Sequence, residues 1–150
     1  MKIQVGIVGG AGYTGGELIR LLINHPHADI AFVHSKSNAA KYVYDVHKDL
    51  IGETELQFTG ALDLEKLFST SFHEGAGAAL FLCSGHGESR KFLHQTQIPV
   101  HVKIIDLSND FRLAHSSQLA ARSFVYGLPE LNKQQIRSAK NIANPGCFAT

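Results

Sequence analysis

Apolar and polar positions along this chain fall into two periods that alternate with each other. Residues 2–8 alternate and then close into a short apolar run, the pattern of a strand entering a core. Glycines at 9, 10 and 12 interrupt it. From residue 13 to 24, Leu18, Ile19, Leu21 and Leu22 fall at helical spacing, and His25-Pro26 ends the helix. A second β-like run covers 28–34, led by Ile30, Phe32 and Val33. Residues 35–60 show no clear period and read as loop-rich, with a short strand near 56–58. Residues 63–69 read as a short helix, 78–83 as a buried strand, 88–96 as a helix and 102–107 as a strand. A weak helix over 133–139 and a short strand over 141–143 lead into Asn144-Pro145-Gly146. Strands alternating with helices predict an α/β fold, a doubly wound parallel sheet with helices on both faces. No internal repeat, low-complexity tract or linker divides the chain, so residues 1–150 read as one domain.

Composition narrows the function classes more than the fold. At 150 residues and 44% hydrophobic, the chain can fill one core. Lys and Arg total 14 against 13 Asp and Glu, with no basic run or face, which argues against a nucleic-acid partner. No apolar core of a signal peptide follows the first strand and no stretch approaches bilayer-spanning length, so a soluble, cytoplasmic protein without a membrane partner is expected. Cys83 and Cys147 are too few for a disulfide framework, and thiols stay reduced in that compartment. The nine histidines lack paired ligand spacing, so no metal is expected and surface or helix-end roles are their default. The chain stops at Cys147-Phe148-Ala149-Thr150, just after a Pro-Gly turn, and is expected to be a fragment of a longer protein.

Gly9, Gly10, Ala11, Gly12, Tyr13, Thr14 and Gly15 lie between the first strand and the first helix. They satisfy GxGxxG through Gly10, Gly12 and Gly15, and GxxGxxG through Gly9. The chemistry needs glycine because the chain turns sharply and a pyrophosphate must approach the backbone, while the helix N-terminus offers N–H groups to the phosphates. In that position the motif predicts a Rossmann-like nucleotide-binding domain; a glycine turn without a ligand is the alternative. Where an NAD-preferring domain usually carries an acid after its second strand, this chain has His34-Ser35-Lys36-Ser37. Two hydroxyls and a lysine suit a 2′-phosphate, so NADP is the expected cofactor. Lys36 taken singly also reads as an ordinary solvated lysine.

Cys147 follows Asn144-Pro145-Gly146, with Phe148-Ala149-Thr150 expected to begin a helix. A thiolate is stabilised at a helix N-terminus, and the same N–H groups can receive the oxyanion formed when it attacks a carbonyl. Beside a nicotinamide, that is the chemistry of acyl-phosphate reduction through a thioester. A structural, buried cysteine is the plainer alternative, and Cys83, at the end of an apolar strand, fits it.

Four segments carry a family resemblance: Gly9 to Leu18, Asp106-Leu107-Ser108-Asn109-Asp110-Phe111-Arg112-Leu113, Val125-Tyr126-Gly127-Leu128-Pro129-Glu130-Leu131, and Asn144 to Thr150. In these the chain resembles the N-terminal portion of the N-acetyl-γ-glutamyl-phosphate reductases of arginine biosynthesis. The first segment is shared with aspartate-semialdehyde dehydrogenases, the nearest rival; the second and third favour the reductases. The resemblance implies that Cys147 attacks the acyl phosphate of N-acetyl-γ-glutamyl phosphate, that phosphate leaves, and that NADPH reduces the thioester to the semialdehyde. Arg112 is then a candidate anion contact for the substrate, with an ion pair to Asp110 as the equal alternative. Asp106, Ser108 and Asn144 are placed near the site. Complete family members continue into a second α+β domain that supplies a histidine acid/base matching none of the histidines here. The resemblance therefore implies a homo-oligomeric full-length enzyme and a fragment that binds NADPH weakly without turnover. A noncatalytic nucleotide-sensing module remains the rival from another class.

Overall fold

The computed structural model describes residues 2–69 and 77–148. Strand β1 (Ile3–Val8) runs into the glycine turn and helix α1 (Tyr13–Leu22), followed by β2 (Ala28–His34). A 3₁₀ turn (Lys36–Asn38), helix α2 (Val43–Val46) and a second 3₁₀ turn (Lys48–Leu50) precede β3 (Phe58–Thr59). Helix α3 (Leu64–Ser69), β4 (Ala78–Leu82), α4 (Glu88–Gln95) and β5 (Val102–Asp106) continue the alternation. After a 3₁₀ turn (Ala114–Ser116) come β6 (Gln118–Leu119), β7 (Arg122–Tyr126), α5 (Pro129–Ser138) and β8 (Asn141–Ala143). The sheet order is β3-β2-β1-β4-β5-β8-β7-β6, parallel throughout except for the β6–β7 pair.

The alternation of side chains along β1 divides the core between two faces. Val5 and Ile7 pack with Ile19 of α1 and Val33 of β2 on one. On the other, Val8 joins Phe32, Phe68, Leu80 and Ile104, covered by α3 and α4. Each such fully buried aliphatic or aromatic side chain contributes about 1.5–3 kcal/mol against the entropy of ordering the chain.

The expected doubly wound architecture is present, and the differences from the sequence reading are local. Residues 35–60 hold α2 and two 3₁₀ turns, elements of three or four residues that cannot display a 3.6-residue period; buried Val43 and Leu50 anchor them. The strand expected at 56–58 sits at Phe58–Thr59, and Gln57 instead forms an isolated antiparallel bridge to Tyr42. Strands β6 and β7 were not legible, because their connection uses Ala120 at φ 51° in place of a glycine or asparagine turn signal. Helix α5 starts at Pro129, not at 133; Asn132 breaks its period with φ −124° and ψ 24° while its side chain donates to the Tyr126 carbonyl (2.9 Å). Of the helix expected to begin at Phe148-Ala149-Thr150, Phe148 lies in a bend and residues 149–150 fall outside the described residues.

Parallel register lines up one row of residues across the sheet. Thr59 pairs with His34, His34 with Val8, Val8 with Leu82, Leu82 with Asp106, and Asp106 with Ala143. The loops that leave this row therefore share the C-terminal edge, where α/β sheets bind ligands. The glycine turn after β1 and the Cys147 loop after β8 are three strand spacings apart, roughly 14 Å.

Gly15 holds α1 against the turn. A methyl group there would lie 2.6 Å from Gly10 Cα and 2.7 Å from the Gly9 carbonyl oxygen. Alanine gains about 1 kcal/mol of helix propensity, but overpacking against backbone that cannot swing aside costs about 1–3 kcal/mol. Gly15→Ala is expected to lower the urea unfolding midpoint, and a raised midpoint contradicts this packing.

Candidate functional site

Gly9 adopts φ +81°, and a side chain on it would strike the Cys83 carbonyl at 2.8 Å, so the turn requires glycine there for both conformation and space. The Gly9 and Gly10 N–H groups both donate to the His34 carbonyl (3.2 and 3.1 Å), and Gly12 N–H donates to Gly9 (3.2 Å). Gly12 then caps α1 with no side-chain hydrogen bond, and the first turn carries no acidic residue. The first-turn N–H groups and the positive end of the helix dipole thus meet no competing anion from this helix, the condition for receiving a phosphate. Ala11 is half-buried, while Tyr13 and Thr14 are exposed beside it.

From Gly9 a cleft of about 420 Å³ runs past Ser35, Lys36 and Ser37 to Ser84 and Lys91. The Asn38 amide donates to the hydroxyls of Ser35 (3.3 Å) and Ser37 (3.2 Å), shaping the wall that holds them. Lys36 is exposed, and Lys91 pairs with Glu88 at 2.8 Å. Burial lowers the His34 pKa, opposed by a backbone hydrogen bond at Gly60 and assisted by the charge of Lys36. The structure brings Ser35, Lys36 and Ser37 together with Ser84, the start of the 84–87 segment that the sequence also sets beside the cofactor, and adds Lys91. No spacing in the chain links 36 to 91; the strand order β2-β1-β4 does. A larger apolar hollow of about 450 Å³, lined by Ile3, Val5, Phe81 and Ile105 among others, reaches Gly77 and His101 at the opposite ends of the strands, away from the glycine turn.

The other end of the register row is a tight polar network. Fully buried Asp106 accepts the Ser108 hydroxyl (2.8 Å) and N–H (3.3 Å), and Ser108 Oγ in turn accepts the Asp110 N–H (3.1 Å). Burial raises the Asp106 pKa against the opposing Ser108 contacts. Asp110 accepts the N–H groups of Gly87 (2.6 Å) and Arg90 (2.9 Å), capping α4, and does not pair with Arg112. Arg112 instead donates from Nε to the Asn144 carbonyl (2.8 Å) and from Nη2 to the Leu107 carbonyl (2.9 Å). It thereby clamps the segment after β5 to the loop that carries the cysteine. Asn144 is exposed; its N–H continues the ladder to Asp106 (2.8 Å) and its side chain donates to the Pro145 carbonyl (3.1 Å).

Cys147 is exposed at the end of this braced loop. Cys83 differs: burial, helped by the negative charge of Asp106, pushes its thiol up to about 12. Among the described residues no group of three His, Cys, Asp or Glu side chains could hold a metal, and no helix is long and apolar enough to cross a membrane. Beyond the expected residues, His47 is buried and its ring contacts the glycine turn, a placement invisible in a region without period. At pH 8 a thiol of pKa about 12 is ionised to about one part in ten thousand. Iodoacetamide is therefore expected to label Cys147 in the folded protein at least about tenfold faster than Cys83. Equal rates contradict the difference in their surroundings.

Comparison with known proteins places this geometry. Residues 4–139 match the family described as semialdehyde dehydrogenase, NAD binding domain. The chain is 55% identical over 148 residues to the N-acetyl-γ-glutamyl-phosphate reductase of Azobacteroides pseudotrichonymphae genomovar. CFP2, covering 99% of this chain and 42% of that protein. It is 50% identical to the enzyme of that name from Parabacteroides distasonis and 48% identical to that from Flavobacterium johnsoniae, each over 148 residues and with the same coverage. The chain thus spans about two fifths of the length of these relatives. With the family match extending over most of the described sheet, the chain belongs to the semialdehyde dehydrogenase NAD-binding domain family.

Proposed function

We propose that residues 1–150 form the nucleotide-binding domain of an NADPH-dependent reductase that converts N-acetyl-γ-glutamyl phosphate into its semialdehyde, with Cys147 as nucleophile. The observation that carries this reading is the shared edge: the uncapped glycine turn and an exposed, braced cysteine leave the same register row of one parallel sheet. Relatives bearing the reductase name at about half identity favour this substrate over the shorter one of aspartate-semialdehyde dehydrogenases.

Gly9, Gly10, Ala11, Gly12, Tyr13, Thr14 and Gly15 would hold the pyrophosphate, and Ser35, Lys36 and Ser37 the ribose end, where their hydroxyls and charge suit a 2′-phosphate. The Cys147 thiolate attacks the acyl carbon, the carbon–oxygen bond to phosphate breaks with its electron pair on phosphate, and a thioester remains. When bound, the reduced nicotinamide supplies the hydride that takes the thioester to the aldehyde level and frees the thiolate. Arg112 holds the loop on which this happens, and its charge, 3.0 Å from the place a Gly146 side chain would take, is positioned to favour the anions of substrate and departing phosphate. Asn144 borders the same space. The acid/base group belongs to the part of the protein beyond this chain, so the 150 residues alone should bind NADPH without turnover.

Two measurements on the full-length protein test the reading. NADPH oxidation with N-acetyl-γ-glutamyl phosphate is expected to fall by roughly a thousandfold or more in Cys147→Ala. Activity that survives the substitution removes Cys147 from the reaction, and a wild type without turnover overturns the reductase reading. Lys36→Ala is expected to cost roughly tenfold in NADPH affinity, about 1.4 kcal/mol, while leaving NADH affinity nearly unchanged. Equal losses for the two nucleotides contradict a 2′-phosphate contact.

A further inference from the structure

Among the described residues, His47 is the one buried histidine whose ring reaches the glycine turn. Its Nε2 lies 2.8 Å from the Gly10 carbonyl oxygen. A carbonyl only accepts, so Nε2 carries the proton and donates. Three features hold the ring in place. Its backbone N–H closes α2 on the Val43 carbonyl (3.0 Å), and its own carbonyl accepts from Leu50 (3.0 Å), with Val43 and Leu50 both buried. Two residues on, Asp49 accepts the Arg20 guanidinium of α1 (Nη2 to Oδ1, 2.7 Å), and that hydrogen bond pulls the Asp49 carboxyl down to about 2. The ring lies over Gly16, where a methyl group would come within 2.5 Å of His47 Cε1.

We infer that His47 is a positioning residue for dinucleotide binding: by holding the Gly10 carbonyl it sets the direction of the Ala11 N–H. The peptide between Gly10 and Ala11 is planar and trans, so its C=O and N–H point in opposite directions. With the carbonyl fixed on His47, the Ala11 N–H faces away from the imidazole. The hydrogen bonds that shape the turn use the N–H groups of Gly9, Gly10 and Gly12, and none of them uses that of Ala11. Without the imidazole the Gly10 peptide, flanked by a residue with no side chain, has neighbouring orientations open to it. A phosphate would then pay to reorder a donor that His47 holds ready. Gly16 belongs to the same device, since it leaves room for the ring.

This inference rests on the nucleotide reading, and one set of measurements separates the two. NADPH dissociation constants are measured by fluorescence titration on the full-length protein for wild type, His47→Leu, His47→Gln and Gly16→Ala, together with KM for the acyl phosphate. His47→Leu and Gly16→Ala are expected to raise the NADPH constant about tenfold and leave the acyl-phosphate KM within about twofold, whereas His47→Gln, which keeps an N–H donor, stays within about threefold of wild type. If His47→Leu does not fold, Gly16→Ala and His47→Gln decide the matter by the same criteria. Wild-type affinity in the leucine or Gly16→Ala variant, or a glutamine variant as weak as leucine, overturns the positioning role while leaving the nucleotide site intact. A wild-type protein that does not bind NADPH overturns the nucleotide reading itself.

Discussion

The register of the parallel strands is the constraint on which the site depends. Because β1, β4, β5 and β8 pair residue for residue, and β2 joins β1 with a single irregularity at Val5/Gly6 before the register resumes, His34, Val8, Leu82, Asp106 and Ala143 form one line. The backbone extends that line by one further step: Cys83 donates to Val8 (2.8 Å), Leu107 to Leu82 (3.0 Å) and Asn144 to Asp106 (2.8 Å). A slip of one residue in any strand would exchange its core and outward faces and carry its loop off the edge. Apolar burial on two faces forbids that slip, so the same side chains that stabilise the sheet also set the spacing between the glycine turn and the cysteine loop.

Beyond the ladder, each loop is tied by a charged or polar group to a neighbour that is distant in sequence. Arg112 joins residues 107 and 144, Asp110 joins the start of α4, and Arg20 with Asp49 joins α1 to the segment bearing His47. Hydrogen bonds from an ionised group to backbone contribute about 1.5–3 kcal/mol each, enough to keep a loop in one conformation though small beside the core. The exposed Arg20–Asp49 pair counts for less, because water screens it, and its role is geometric. The edge therefore presents preorganised backbone, which suits the proposed site, where two reactants would be held in register.

Much of this was legible in the chain because the strands of the nucleotide-binding core are long enough to show their period. β2 spans seven residues with buried Phe32 and Val33, and the glycine turn sits between an unmistakable strand and helix. Ser35, Lys36 and Ser37 were legible by their position after β2. Legibility fails where elements shrink to a single turn, as in α2, or where an alanine takes a left-handed turn, as at Ala120. The partners of charged residues were also hidden: the choice for Arg112 lay between an anion and Asp110, whereas two of its donors go to carbonyls separated by 37 residues in sequence. Lys91 reaches the site only through the strand order, and His47 through the packing of residues 43–50 beside α1, neither of which local pattern encodes.

In the proposed reaction Cys147 carries the acyl group at the same edge as the proposed nucleotide site. The most direct test mixes the full-length protein with N-acetyl-γ-glutamyl phosphate in the absence of NADPH, quenches with acid and maps the modified peptide by mass spectrometry. An N-acetylglutamyl adduct is expected on the peptide containing Cys147, released by hydroxylamine and, before quenching, by added NADPH. An adduct on Cys83, or none while turnover proceeds, contradicts the proposed reaction.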